Sequence, residues 1–101
     1  MSVYAISFKL ETNASYGDRY TSLMEQIRAC AVVWVETTSF ALVSSQETSE
    51  QLESRLYLRT SVSAATDILL VINVTGATAV ARGPIEYPAT LRSLLPNLNQ
   101  M

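Results

Sequence analysis

The sequence predicts an α+β fold in which helices cover one face of an antiparallel sheet. Three stretches carry that prediction. Val3 to Leu10 alternates as a strand does, with Tyr4, Ile6, Phe8 and Leu10 on a bulky face and Val3, Ala5, Ser7 and Lys9 on a small one. Thr48-Ser-Glu-Gln51 has the form of a capping box, in which the first and fourth residues satisfy each other's free backbone N–H groups at a helix start. Asp67 to Gly76 encloses a β-branched run that is apolar on both alternating faces, with Ile68, Leu70, Ile72 and Val74 on one and Leu69 and Val71 on the other. A strand with one wet face would alternate with polar residues, so this one calls for cover on both sides.

The other elements follow in chain order. Glu11 to Gly17 reads as a loop, and Asp18 as the N-cap of a helix from about Arg19 to Cys30. Tyr20, Leu23, Met24, Ile27 and Ala31 recur there at helical spacing. Cys30 falls beside that apolar stripe and reads as a small core residue. Val32 to Glu36 and Phe40 to Ser44 form a hairpin across Thr37-Thr38-Ser39, with Trp34, the single tryptophan, as a packing residue. The capped helix runs to about Leu58 and buries Leu52, Leu56 and one of Tyr57 and Leu58. Thr60 to Thr66 is a polar loop into the Asp67 strand.

Beyond Gly76 the pattern thins. Ala77 to Arg82 is a short fifth strand, Gly83-Pro84 breaks it, Pro88 to Leu95 adds a helical turn or two, and Asn97 to Met101 is a loose tail. With right-handed crossovers, the order strand, helix, strand, strand, helix, strand gives a ferredoxin-like βαββαβ sandwich over residues 1–76. Residues 77–101 are an extension of the same domain. In this topology the Asp67 strand lies at a sheet edge, where an uncharged apolar strand calls for cover by a second copy of the chain, by the segment after Gly76, or by both.

Composition narrows the chemistry. The chain has 101 residues, 49% hydrophobic and only 16% charged, against about 25% in ordinary domains. Its net charge of −2 and pI of about 4.9 disfavour a strongly nucleic-acid-binding surface. The lone Cys30 cannot close an intrachain disulfide. No basic stretch precedes an apolar run at the N-terminus, and no run reaches the roughly 18 residues that span a bilayer. The expectation is a cytoplasmic protein that self-associates and does not enter membranes. Without histidine, Ser-His and Cys-His catalysis and histidine-based zinc sites are excluded. No glycine-rich phosphate loop is present.

Val3-Tyr-Ala-Ile-Ser-Phe-Lys-Leu10 resembles the first strand of two related ferredoxin-like families. One is the small CRISPR-associated protein that bridges the integrase during spacer acquisition. The other is the virulence-associated protein D ribonucleases. Thr38-Ser-Phe-Ala-Leu-Val43 resembles their third strand, Thr48 to Leu56 their capped helix and Asp67 to Gly76 their fourth strand, so that the likeness spans residues 3–76. The resemblance implies a homodimer with sheets meeting face to face and with a strand of residues 77–101 crossing to the partner. At the position where those families carry an acid implicated in metal-dependent phosphodiester cleavage, this chain has Lys9. An ammonium cannot ligate a divalent cation.

The leading expectation is therefore a non-catalytic homodimeric scaffold for protein or nucleic-acid partners, with no cofactor and no metal. Its dimer interface is expected at Ala5, Ser7, Lys9, Leu69, Val71 and Asn73. One alternative is a degenerate or relocated endonuclease using a divalent metal at Glu11 and Asp18. Another is a ferredoxin-like small-molecule sensor. Lys9, Arg55 and Arg59 are the candidates for phosphate contact, the two arginines sharing a helix face four residues apart.

Overall fold

β1 (Ser2–Lys9) is the central strand of the computed structural model, which describes all 101 residues. It is followed by α1 (Tyr16–Arg28), β2 (Val32–Trp34), β3 (Phe40–Ser45), α2 (Ser49–Leu58) and β4 (Ile68–Asn73). The four strands form one antiparallel sheet in the order β2-β3-β1-β4. Then come β5 (Thr78–Ala81), α3 (Pro88–Leu94) and β6 (Asn97–Gln100), with β5 and β6 pairing in parallel as a separate two-stranded sheet. The fold is thus α+β, with three helices and two sheets.

The alternation of β1 divides the core into two layers. Tyr4, Ile6, Phe8 and Leu10 meet Leu23 and Ile27 of α1 and Leu52 and Leu56 of α2. Burying each such side chain contributes about 1.5–3 kcal/mol. On the other face Ala5, Trp34 and Leu42 meet Leu91, Leu94 and Leu95. The extension therefore folds back over its own sheet, and the tail expected to be loose is strand β6. The alternation Asn97-Leu-Asn-Gln carries one apolar residue, Leu98, which packs inward. Gly76, at φ 74°, supplies the left-handed turn that sends the chain from β4 to this second layer.

Helix starts and ends differ in part from expectation. α1 begins three residues before Arg19, because Asn13 organises the entry: its Oδ1 accepts from the Ser15 N–H and hydroxyl, and its carbonyl accepts from the Tyr16 N–H. Ser15 is the N-cap, and Asp18 lies in the first turn. The capping box of α2 forms as the sequence indicates, Gln51 N–H donating to Thr48 Oγ1 at 3.1 Å and Thr48 N–H to Gln51 Oε1 at 2.9 Å. Tyr57 and Leu58 are both exposed, since the core face of α2 is complete with Leu52 and Leu56.

The second layer covers only part of the outer sheet face. It reaches Val3, Val32, Phe40 and Val74 but stops short of β4, where Ile68, Leu70 and Ile72 are 61%, 51% and 46% exposed. Leu94, 1% exposed, is the anchor of that layer. Replacing it by alanine should lower the unfolding free energy by about 2–5 kcal/mol, measured by chemical denaturation with Trp34 fluorescence as the probe.

Candidate functional site

Three carboxylates are held at corners of the fold, and each is engaged structurally. Asp67 ends the loop into β4, with its side chain fully buried against Arg19, a residue of α1 that is itself 3% exposed. Arg19 donates from Nη1 to Asp67 Oδ1 and from Nη2 to the Glu11 carbonyl and to Asn13 Oδ1. The Glu11 N–H donates to Asp67 Oδ1 at 2.8 Å and the Ser63 N–H to Oδ2 at 2.9 Å. Burial pushes the Asp67 carboxyl up, but the Ser63 and Glu11 amides and the Arg19 guanidinium outweigh it and bring its pKa to about 2.

Glu47 and Arg55 form the second knot. Arg55 Nε donates to Glu47 Oε2 and Nη2 to Oε1, both at 2.9 Å, a bidentate pair. Nη1 reaches the Gln26 carbonyl and Oε1, and Nη2 also reaches Cys30 Sγ at 3.3 Å. All five guanidinium donors are thereby engaged, tying α2 to the end of α1. Hydrogen bonding from Arg55 holds the Glu47 carboxyl below its ordinary value. Burial pushes the Cys30 thiol up although the Arg55 hydrogen bond opposes it, which disfavours the reactive thiolate. Cys30 is half-buried against the α1–α2 layer, as a small packing residue.

Glu36 is the third. It accepts from Trp34 Nε1 at 2.6 Å and from the N–H groups of Glu86 and Tyr87 at 2.6 and 2.9 Å. It thus anchors the entry to α3, whose first residue is Pro88. Partial desolvation opposes ionisation there, and the two amides and the indole N–H outweigh it and lower the pKa.

The other expected site residues are dispersed. Lys9 is exposed at the end of β1 opposite Ile68, and neither ion pair of the molecule includes it. Glu11 and Asp18 are exposed, and no three His, Cys, Asp or Glu side chains gather as a cation site. Arg59 is exposed, but Arg55 is held by Glu47 and does not present a free phosphate-binding head. The six residues expected at a dimer interface do not share a face. Ala5, Ser7 and Lys9 lie on the outer face opposite Ile72, Leu70 and Ile68, while Leu69 and Val71 are half-buried against the α1–α2 core and Asn73, exposed, is on their side opposite Tyr4. A period of two makes the choice absolute: a strand residue is on one face or the other. The open apolar stripe is therefore Ile68, Leu70 and Ile72, flanked by Ser7 and Lys9.

No protein family, curated protein or solved structure matches this chain.

The depressed Asp67 pKa fixes the sign of an acid dependence. Its contribution to stability is present in full above the unfolded value of 3.8 and is lost as pH falls through about 2. Asp67→Asn leaves Arg19 buried without its counter-charge and should cost about 3–5 kcal/mol at neutral pH. In denaturation midpoints taken from pH 7 to 2, the gap between the variant and the parent chain should narrow as the parent loses the same charge.

Proposed function

We propose that this chain is a ferredoxin-like, non-catalytic interaction module that works as a homodimer, with the outer face of β4 as its contact. The observation that carries this reading is the run Ile68, Leu70 and Ile72, open to solvent on a strand without a single charge. Monomers rarely leave a contiguous apolar stripe bare. A second copy brings the same stripe, so a two-fold axis beside β4 lets apolar surface meet its like. The sheet order β2-β3-β1-β4, with α1 and α2 on one face, supports the ferredoxin-like assignment.

The resemblance to the CRISPR-associated bridging protein and to the virulence-associated D ribonucleases is kept here for architecture and set aside for chemistry. Lys9 replaces their acid, and Asp67, Glu47 and Glu36 are committed to Arg19, Arg55 and the start of α3. The cytoplasm suits such a module, and its scaffolded partners would be protein or nucleic acid.

Light scattering after size exclusion, over a wide concentration range, tests the dimer. The parent chain should run as a dimer. Leu70→Glu combined with Ile72→Glu should run as a monomer with an unchanged circular dichroism spectrum. A parent chain that stays single throughout would overturn the reading. With magnesium or manganese, the purified dimer should leave RNA and DNA uncut, and cleavage abolished by Glu11→Gln or Asp18→Asn would favour a nuclease instead.

A further inference from the structure

The edge of β4 is a different surface from its outer face. The Val74 N–H donates to the Val3 carbonyl at 2.8 Å, and Val3 continues the register Tyr4↔Asn73. In an antiparallel ladder, backbone groups of alternate residues point the same way. Ile68, Leu70 and Ile72 thus bond to β1, and Leu69, Val71 and Asn73 turn their N–H and C=O groups outward, where no strand follows.

A groove runs along this edge. One part, about 380 Å³, is lined by Ser49, Glu50, Glu53 and Ser54 of α2 and by β4. A second, about 290 Å³, continues past Tyr57 and Val62 and shares Glu53 and Leu69 with the first. Its floor is apolar and one wall carries two carboxylates. Glu50 and Glu53 enter neither ion pair of the molecule, and no lysine or arginine lines either part.

We infer that this edge binds an extended peptide as a fifth strand, and that the peptide alternates basic with apolar residues. Strand addition supplies partners for the outward amides and carbonyls of Leu69, Val71 and Asn73. Side chains of the added strand alternate between faces. Those on the α2 side lie along Leu69 and Val71 and end near Glu50 and Glu53, a path that suits the long aliphatic stem and charged head of lysine or arginine. Those on the other side extend the stripe of Ile68, Leu70 and Ile72, which suits valine or isoleucine.

A second copy of this chain does not fit the same edge. Antiparallel pairing of β4 with its copy would set two α2 helices side by side on one face of the joined sheet. It would bring Glu50 and Glu53 toward their equivalents, a like-charge contact that disfavours association. The edge and the outer face thus select different occupants, and failure of one assignment leaves the other standing.

The test uses the full chain and a fluorescein-labelled ten-residue peptide of alternating lysine and valine, read by anisotropy. The comparison peptide has the same charge but a central proline, which cannot pair as a strand. The alternating peptide should bind at least tenfold more tightly than the proline peptide. The double variant Glu50→Lys, Glu53→Lys, neither residue being part of an ion pair, should weaken it at least tenfold while keeping the parent's circular dichroism and oligomeric state. Equal binding of the two peptides, or binding indifferent to the double variant, would overturn the inference. So would dissociation of the dimer by the alternating peptide, because the edge would then belong to a second copy.

Discussion

The buried pair of Arg19 and Asp67 sets the geometry on which the rest of the molecule depends. It joins the loop leaving β1, the first turns of α1 and the residue immediately before β4. Because Asp67 is fixed, Ile68 begins the strand opposite Lys9, and the register of the whole β1–β4 ladder follows. A slip of one residue would turn Leu69 and Val71 outward and drive Ile68, Leu70 and Ile72 toward the α1–α2 core. The solvent-facing stripe is thus a consequence of a charge pair at the strand's origin. Arg19 Nε is buried without an acceptor, a desolvation cost of about 1–3 kcal/mol that the other hydrogen bonds of the pair must outweigh.

The same economy of polar contact recurs at the other corners. Glu47 and Arg55 fasten α2 to the carboxyl end of α1, and Glu36 fastens the hairpin to the entry of α3. Each tie bridges elements that the apolar layers alone would hold only loosely in relative rotation, since hydrophobic burial is non-directional. The charged groups left outside these ties are therefore the informative ones. Glu50 and Glu53 stand unpaired beside β4, and Lys9 stands unpaired at the mouth of the same strand.

Local signals in the sequence anticipated local structure. Alternation marks β1, an unbroken β-branched apolar run marks β4, and the Thr48–Gln51 reciprocity marks the start of α2, because each pattern is completed within a few residues. The long-range ties left no such mark. Arg19 reads as a solvated helix residue until Asp67, 48 positions later, is folded against it. Glu36 similarly finds the Tyr87 amide 51 positions away. The outward face of β4 is illegible for a related reason: a run apolar on both sides carries no polar residue to say which side is wet. β6 was hidden by its composition, since one leucine among asparagines and glutamine makes no periodic signal, and its partner β5 precedes it by a helix.

β4 shows how one strand can carry two kinds of surface without confusing them. Its outer face offers only methyl and methylene groups, so it gains from any apolar cover and discriminates poorly by charge. Its edge offers directional backbone groups, and those can be used by any extended chain unless something nearby excludes the wrong ones. The strand itself has no charge with which to do so, as edge strands usually have. The carboxylates of Glu50 and Glu53 stand beside it on α2 instead, close enough to line the same groove. Their charge repels the same charges on a copy of the chain and attracts a basic strand, so a single pair of side chains can discourage open-ended self-pairing and select a partner at once.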